Sequence, residues 1–402
     1  MDDYGDGFRF AYDHGPIQYG RGCVDALADE LAGIGAERAM IVCGKTVGST
    51  PDVIDPVEDG LGEYHAGTFA GTTPDKRLGS AVAGLEAMED LDADALVSLG
   101  GGSSLDVAKA IAVLAGREES PAELAAELES TGTIATPEDV PPIVAVPTTL
   151  AGADLSIAAG ITATPASGLV EEPVGGGLFG QQLMPAALLY DPDLFATTPT
   201  DILAGSAMNG FDKAIEALYA STRTALTDAT AKRALELLSA GLPDLREDTD
   251  EALEQVVPGI VLAQYGASRP DGMTLSLLHA FGHGLTAGYP VQQGVAHAVI
   301  APHALDYLFE QVDGRRRLLA DGLGVDTGGA SDEELADAVV SRVTELRDAL
   351  DLPSSLREVD GIEQSDLHDI AAYTLDDSLM GYAPAELDPT VEDLERVLRE
   401  AW

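Results

Sequence analysis

The sequence predicts an α/β N-terminal domain with a mostly parallel sheet, followed by an all-helical C-terminal domain. In the first half, short apolar segments typical of buried strands alternate with amphipathic helical segments, which is the pattern of a parallel sheet. Beyond residue 200 only the helical spacing of apolar residues persists. We therefore predict two domains, at residues 1–200 and 201–402.

Local signals define the elements of the first half. Residues 8–20 alternate between apolar and polar side chains, which predicts an edge strand or hairpin, and a helical pattern follows Gly22. The segment 164–182 is rich in Gly and Pro, which predicts an exposed loop. The remaining predicted elements are strands at 38–45, 63–71 and 141–150, a helix at 78–88, and a strand, glycine turn and helix over 93–115.

The second half contains helical segments and no strand signal of comparable strength. Its apolar residues recur at the three- and four-residue spacing of one helix face. The predicted helices lie at 202–220, 228–242, 251–267, 273–285, 295–309, 332–350 and 391–401.

The charge balance excludes several classes of partner. The chain has 69 acidic and 22 basic residues, a formal net charge of −47. The acids are spread through periodic apolar segments, which is typical of a protein adapted to concentrated salt, where the Debye length falls to about 3 Å at 1 M. Because phosphate binding depends on Lys and Arg, we expect neither nucleic acid nor an anionic membrane as a partner.

Export and membrane insertion are not expected either. No stretch reaches the ~20 apolar residues of a membrane span, and the N-terminus is acidic where a secretory signal is basic and then apolar. The two cysteines, Cys23 and Cys43, form neither a disulfide framework nor a Cys-x-x-Cys metal pair. We therefore predict a cytoplasmic protein.

A glycine-rich turn opens the helix that follows the strand near residue 100. Glycines let backbone amides approach a pyrophosphate, and the helix N-terminus adds a partial positive charge. The next strand ends at Thr148 and Thr149, which places them at the same carboxyl edge of the sheet, where ligands bind. The pattern favours a nicotinamide dinucleotide site; an ordinary tight turn is the alternative.

The predicted strand at 38–45 indicates which nicotinamide cofactor binds. It ends at Gly44, where a carboxylate would usually hold the adenosine ribose, and Lys45 follows. Without that carboxylate a 2′-phosphate is not repelled, so the sequence favours NADP over NAD. The predicted cofactor-binding residues are Gly44, Lys45, Gly100, Gly101, Gly102, Ser103, Ser104, Asp106, Thr148 and Thr149.

Histidines are concentrated in one apolar stretch. Four of the seven lie between residues 278 and 305: His279, His283, His297 and His303. His279 and His283 are four residues apart, so on a helix they share one face. Such a face is a metal site, an acid/base site or a pair of satisfied core residues, and we predict a functional site.

The chain resembles the iron-containing alcohol dehydrogenase superfamily in five segments, which are, in order, GGGSSLDVAKAIA, VPTTLAGADLS, ALLYDPDLF, AMNGFDKAIEALYA and HAFGH with AHAVIAPHALDY. It looks closest to the maleylacetate reductases, because PTTLAGADLS has the length of their PTTYAGSEMT turn. The resemblance implies a dehydroquinate synthase-like architecture with an N-terminal dinucleotide-binding domain. It also implies an active site in the cleft between the domains, and a homodimer.

The resemblance also implies where a metal would bind. Metal-dependent members hold a divalent ion with one Asp and three His, and the matching positions here are Asn209, Lys213, His279 and Gln293. An amide and an ammonium do not make a site for Fe²⁺ or Zn²⁺, which take imidazole and carboxylate ligands. We therefore expect no metal, and we regard Asn209 and Gln293 as candidate substrate-binding residues.

Lys213 offers a replacement for the charge of the metal. In the metal-dependent dehydrogenases the ion polarises the substrate oxygen during hydride transfer, and an ammonium at the same place would stabilise a developing alkoxide. The alternative is a structural lysine paired with Asp212 or Glu216. His279 and His283 are then candidates for substrate orientation and proton transfer, and His297 is the third histidine of the predicted catalytic set.

The sequence predicts a metal-independent, NAD(P)H-dependent oxidoreductase acting on a small carbonyl or alcohol. The maleylacetate reductases carry a Pro-Arg-Pro near the C-terminus where this chain has no arginine, so maleylacetate is one candidate substrate, and a neutral or singly charged oxo or hydroxy compound is equally expected. Two alternatives remain: a lyase or cyclase on the dehydroquinate synthase scaffold, and a catalytically inactive nucleotide-binding homologue.

Overall fold

The computed structural model describes residues 7–402 and divides them into two compact units. The first unit comprises residues 12–149 and 153–198. The second comprises residues 7–11, the three residues Leu150–Gly152 and Pro199–Trp402. The sequence predicts a single boundary at residue 200. It does not predict that Leu150–Gly152 belong to the second unit.

Six parallel strands form the main sheet of the first unit. The strands of this unit are β1 (Ile17–Tyr19), β2 (Ala39–Gly44), β3 (His65–Thr72), β4 (Ala95–Gly100), β5 (Thr133–Ala135), β6 (Ile143–Pro147), β7 (Ala158–Ala163), β8 (Val174–Phe179) and β9 (Ala187–Tyr190). The main sheet has the order β1-β9-β6-β4-β2-β3, and every pairing in it is parallel. The predicted fold class is confirmed, and β1 is the predicted edge strand, shortened to three residues.

A second sheet of three strands, in the order β5-β8-β7, corrects the prediction of a loop at 164–182. Strand β8 lies inside that segment and pairs antiparallel with β7. Gly176 of this strand reflects close packing of backbones rather than a turn, because a Cβ there would lie 2.3 Å from the carbonyl oxygen of Gly132.

Helices cover the strands of the first unit: α1 (Leu27–Ile34), α2 (Pro51–Leu61), α3 (Leu78–Asp90), α4 (Gly102–Ala115), α5 (Pro121–Thr131) and α6 (Pro192–Ala196). Helices α2, α5 and α6 were not predicted. Each begins with a proline, which suits the first turn because its missing N–H has no helical acceptor there. Fully buried Leu31, Ile41 and Val97 belong to the core between helices and sheet.

In the part of the chain that the structure describes, the regular elements of the second unit are helices apart from one hairpin of two-residue strands, β10 (Ser268–Arg269) and β11 (Gly272–Met273). Its helices are α7 (Thr200–Tyr219), α8 (Ala225–Gly241), α9 (Thr249–Gln264), α10 (Leu277–Thr286), α11 (Gln293–Gln311), α12 (Arg316–Gly322), α13 (Asp332–Ala349), α14 (Leu367–Asp376) and α15 (Val391–Glu400). All seven predicted helices are present. Helices α12 and α14 were not predicted.

Helix α7 lies at the centre of the second unit, since every residue from 203 to 219 is buried. A helix that is buried all round leaves its polar side chains no water to bind, so each needs a partner inside the protein. Neither α7 nor any other helix in residues 7–402 has the length and apolar character needed to cross a membrane.

Candidate active site

Four polar side chains lie on one face of α7, at Asn209, Asp212, Lys213 and Glu216. Their spacing of three and four residues places them side by side. Lys213 is 7% exposed, and Asp212 and Glu216 are fully buried. Burying an ammonium or an ionised carboxylate costs free energy unless it is hydrogen-bonded, so the partners of these groups indicate what the site can do.

The ammonium of Lys213 is held by three acceptors. Its Nζ donates to the carbonyl oxygen of Ala151 at 3.0 Å and to Asn209 Oδ1 at 2.9 Å, and it lies 3.3 Å from His279 Nε2. The Leu150 amide donates to Ser206 Oγ at 3.0 Å, which attaches the segment carrying Ala151 to α7. The three protons of the ammonium thus have three acceptors.

His279, near the start of α10, connects Lys213 to a carboxylate. Its Nδ1 lies 2.5 Å from Glu216 Oε2, and its Nε2 faces Lys213 and Asn209. Burial, together with the positive charge of Lys213, holds the pKa of His279 well below its usual value. The ring is therefore neutral near pH 7, and Nε2 accepts a hydrogen bond from the ammonium when Nδ1 carries the ring hydrogen.

Glu216 anchors the N-terminus of α10, which has no capping side chain of its own. Its Oε1 accepts from the amides of Ser276 at 3.1 Å, Leu278 at 2.7 Å and His279 at 3.2 Å, and from the Tyr219 hydroxyl at 3.2 Å. Burial raises the pKa of Glu216 to about 7, and these hydrogen bonds oppose that rise. The same carboxylate therefore fixes both the helix start and the His279 ring.

The predicted substrate residues lie beside Lys213. Asn209 Nδ2 donates to Gln293 Oε1 at 3.4 Å, and Gln293 begins α11. Asn209 Oδ1 also lies 3.1 Å from His279 Nε2, and both atoms face the ammonium of Lys213. Asn209 and Lys213 of α7 thus form one connected cluster with His279 and Gln293, which are distant from them in sequence.

His297 lies in the interior beneath this cluster. Its ring meets the His279 ring edge-to-face at 4.5 Å between centroids, and its Nδ1 lies 3.0 Å from Asp212 Oδ2. Within residues 7–402 neither side chain makes a hydrogen bond of good geometry. Burial raises the pKa of Asp212 well above its usual value and lowers that of His297 well below its usual value, so burial favours the neutral form of each. His297 contacts His279 and is fully inaccessible to solvent.

His283 occupies a different environment from His279 although both lie on α10. Its side chain is 43% exposed, and its Nδ1 lies 2.7 Å from Asp377 Oδ2. Each imidazole thus has its own carboxylate partner. Buried His279 is paired with Glu216, and partly exposed His283 is paired with Asp377.

These residues do not fit the divalent metal that the resemblance implies. Lys213 puts an ammonium among the groups at the ligand positions, and Asn209 and Gln293 offer neutral amides, whereas Fe²⁺ and Zn²⁺ take imidazole and carboxylate. Across residues 7–402 no three side chains of His, Cys, Asp or Glu are grouped so that they could hold a metal ion.

The predicted cofactor turn lies in the first unit, between β4 and α4. Gly100 ends β4 with φ 129°, and its carbonyl accepts from the Thr148 amide at 3.0 Å. A Cβ at Gly101 would lie 3.1 Å from the side chain of Thr149, and one at Gly102 would lie 3.2 Å from Ala153 Cβ. The structure brings the glycines and both threonines together. At Gly101 and Gly102 there is room for the backbone but little room for a side chain. This arrangement suits the close approach of a pyrophosphate to helix amides.

Side chains after the glycines hold the turn in place. Ser104 Oγ lies 3.2 Å from Thr72 Oγ1, and Ser103 Oγ donates to the carbonyl of Pro74 at 3.4 Å. Asp106 Oδ2 lies 2.6 Å from Lys76 Nζ and accepts from the amide of Gly160 in β7 at 3.2 Å. In this structure Ser103, Ser104 and Asp106 therefore connect α4 to neighbouring segments of the first unit.

The residues expected to discriminate the cofactors lie at the end of β2. Gly44 ends that strand, which borders β4 in the sheet, and Lys45 is exposed. A Cβ at Gly44 would meet Thr72 Oγ1 at 3.5 Å, an ordinary contact. The glycine is therefore not required by packing.

Sequence reasoning missed two partners in the site. The Ala151 carbonyl reaches Lys213 across 62 positions, and a backbone carbonyl carries no side-chain signal. Asp377 reaches His283 across 94 positions, among many other acids with which it could be confused.

Comparison with known proteins identifies the family. The model for iron-containing alcohol dehydrogenase matches residues 15–192, and that for the C-terminal part of the Fe-containing alcohol dehydrogenase family matches residues 203–402. Lactaldehyde reductase of Escherichia coli K12 is 30% identical over 388 residues, covering 96% of this chain and 97% of its own. Maleylacetate reductase 2 of Cupriavidus pinatubonensis is 27% identical over 290 residues, covering 71% and 70%.

The fold is also that of solved relatives. The crystal structure of a 1,3-propanediol oxidoreductase superposes with a TM-score of 0.88, at 23% identity over 98% of this chain and 100% of that one. The predicted superfamily is confirmed, with maleylacetate reductases among the relatives. On the two family models and the full-length relative, the chain belongs to the iron-containing alcohol dehydrogenase family of oxidoreductases.

Proposed function

We propose that this protein transfers hydride between a nicotinamide cofactor and a small carbonyl or alcohol, with the ammonium of Lys213 in the electrostatic role of the family metal. One observation carries the proposal. Lys213 Nζ lies within hydrogen-bonding distance of Asn209 Oδ1 and His279 Nε2, two groups at family ligand positions. A fixed positive charge in that place can stabilise a negative oxygen without a divalent ion.

The cofactor would supply the hydride for carbonyl reduction or accept it in alcohol oxidation. The backbone amides at the start of α4 would hold its pyrophosphate, since the glycines of the turn leave them accessible. The absence of a carboxylate at Gly44 and the exposed ammonium of Lys45 favour NADP over NAD.

Lys213 would bind the substrate oxygen by exchanging one of its acceptors. The Ala151 carbonyl is backbone, and His279 is fixed by Glu216, so Asn209 is the acceptor best able to turn away. Its amide is already bonded to Gln293, and the two amides together would position the substrate. In the reductive direction Lys213 then stabilises the alkoxide and donates a proton to it.

The remaining predicted residues take less direct roles. His283, partly exposed and paired with Asp377, is suited to exchanging protons with solvent. His297 supports the His279 ring from beneath. One ammonium suits a neutral or singly charged oxo compound, and maleylacetate remains a candidate. The homodimer, the cytoplasmic location and the adaptation to high salt remain predictions.

The test is oxidation of NADPH and NADH with a panel of 3-oxo acids and small aldehydes in molar KCl, with and without EDTA. We expect turnover that EDTA does not lower and that Fe²⁺ and Zn²⁺ do not raise. Lys213→Ala should lower kcat by at least about 10²-fold, since one preorganised donor is worth that much. Lys232→Ala, which removes a surface lysine paired with Glu236, is the matched control.

Two outcomes would contradict the proposal. Activity abolished by EDTA and restored by Fe²⁺ would show that a metal carries the electrostatic role. Cofactor binding without turnover of any substrate would favour the inactive nucleotide-binding homologue.

A further inference from the structure

Three buried side chains, Glu216, His279 and Lys213, contact one another in series. Glu216 Oε2 lies 2.5 Å from His279 Nδ1, and His279 Nε2 lies 3.3 Å from Lys213 Nζ. All three side chains are at least nine-tenths buried. The state of each proton in this series therefore depends on its neighbours rather than on water.

We propose that Glu216 is a positioning residue for the reaction: its carboxylate holds His279 in the tautomer with hydrogen on Nδ1, so that the Nε2 lone pair orients the Lys213 ammonium. The proposal rests on the proposed function, which gives Lys213 its role. Glu216 does not touch the substrate and acts through His279.

The hydrogen bonds of Glu216 indicate which group donates and which accepts between Glu216 and His279. Its Oε1 accepts from the amides of Ser276, Leu278 and His279, which are donors only, and from the Tyr219 hydroxyl. These donors stand at the N-terminus of α10, where the helix dipole favours a negative charge. Burial favours the protonated form of Glu216, and these four donors favour the ionised form. In the ionised form Oε2 is an acceptor as well, and the hydrogen between Glu216 and His279 belongs to the ring.

The opposite tautomer would disturb Lys213. A hydrogen on His279 Nε2 would point at the ammonium 3.3 Å away, so that two donors would face each other. That hydrogen would bond instead to Asn209 Oδ1, which lies 3.1 Å from Nε2 and is itself an acceptor of Lys213. The ammonium would lose one acceptor and share another, and its position would no longer be fixed.

The neighbouring acid does not take over this role. Asp212 lies one turn before Glu216 on α7, and its Oδ2 faces His297 Nδ1 at 3.0 Å. Within residues 7–402 the carboxylate of Asp212 makes no hydrogen bond, so it does not contact either nitrogen of the His279 ring.

Glu216→Gln separates the tautomer from the helix anchor. The amide oxygen can still accept the three backbone amides at the start of α10. The NH₂ group, in place of Oε2, donates to His279 Nδ1 and forces the hydrogen to Nε2. Thr390→Ala, which removes the N-cap of α15, is the control for loss of a helix cap away from the site.

The direct measurement is ¹⁵N NMR of histidine-labelled protein in molar KCl, with the His279 signals assigned by their loss in His279→Asn. We expect hydrogen on Nδ1 in the wild type and on Nε2 in Glu216→Gln. Hydrogen on Nε2 in the wild type, or an unchanged tautomer in the folded variant, would overturn the proposal.

Kinetics give the second measurement. We expect Glu216→Gln to lower kcat by 10²- to about 10⁴-fold, the upper value being the effect of the comparable exchange in serine proteases. In a Lys213→Ala background the same change should cost less than about threefold, because the group it positions is gone. An equal loss in both backgrounds would mean a structural role and overturn the proposal.

The two proposals fail separately. If Lys213→Ala alone leaves kcat unchanged, the proposed function of Lys213 is wrong, and the NMR result still decides whether Glu216 sets the tautomer of His279.

Discussion

Gly282 and His297 pack so closely that a methyl group at position 282 would lie 2.1 Å from His297 Nε2. The glycine sits inside α10, where alanine would otherwise be favoured by about 1 kcal/mol. His297 in turn carries the His279 ring at 4.5 Å. The absence of a side chain at position 282 therefore lets His297 pack against α10 and contact the His279 ring.

Gly282→Ala should lower the free energy of unfolding by about 1–3 kcal/mol, because overpacking a buried site forces its neighbours to shift. Chemical denaturation in molar KCl measures the change. The control is Gly33→Ala in α1, where nothing lies within 4 Å of the added Cβ and a gain of about 0.5–1 kcal/mol is expected. Equal effects at the two positions would contradict the close packing of His297.

Restoring the family ligands should create a metal site. We expect Asn209→Asp, Lys213→His and Gln293→His together to bind one Fe²⁺ or Zn²⁺ per chain, since the site would then offer one carboxylate and three imidazoles with His279. Metal analysis after dialysis measures this. The double variant that keeps Lys213 should bind none, because the ammonium stays among the ligands. Equal metal content in the two variants would refute a blocking role for Lys213.

Cofactor preference should respond to a charge at the end of β2. Gly44→Asp should shift the ratio of kcat/KM for NADPH over NADH toward NADH by at least about tenfold, since a carboxylate repels a 2′-phosphate and accepts from a ribose hydroxyl. Gly44→Ala adds the Cβ without the charge, and its contact with Thr72 Oγ1 at 3.5 Å is an ordinary one. A similar shift in both variants would mean that charge is not the cause.

Lys109 should give the first unit a pH-dependent stability. Its Nζ is fully buried and donates to the carbonyls of Ser156 at 2.7 Å and Ala158 at 3.0 Å. Burial lowers its pKa from 10.5 to about 8, with Asp106 and Asp154 opposing. Between these values the unfolded chain holds a proton that the folded chain has released, so the free energy of unfolding rises with pH, by about 3 kcal/mol in all.

The measurement compares the wild type with Lys109→Met by chemical denaturation at pH 7.5 and pH 10. The difference in unfolding free energy between the two proteins should grow in favour of the wild type as pH rises. A pH-independent difference would mean that Lys109 keeps its proton in the folded state. Other groups that titrate in this range contribute equally to both proteins.

The sequence allowed most of the fold to be predicted, because the strands of a parallel sheet are continuous apolar segments and the later helices are strongly periodic. Two differences from the prediction involve proline and glycine. Helices α2, α5 and α6 each begin with a proline and were not predicted. The glycines of segment 164–182 predict a loop, yet in β8 Gly176 approaches the Gly132 carbonyl.

The sequence predicted that Asn209, Lys213, His279 and Gln293 lie together, and it predicted less well how the candidate residues are arranged. Matching positions brought Lys213 and His279 together before any contact was known. That His279 is buried while His283 is 43% exposed depends on what packs over each turn of α10, which the spacing of four does not encode. The role of Glu216 as the anchor of α10 depends on contacts about sixty positions apart.

The excursion of Leu150–Gly152 has a consequence for how this protein can be taken apart. Because the Ala151 carbonyl accepts from Lys213, the helical unit takes three residues from the middle of the segment that encodes the other unit. A fragment beginning at Pro199 would lack one of the three acceptors that hold its lysine. Recombination at residue 199 would therefore exchange the Ala151 acceptor of Lys213 along with the first unit.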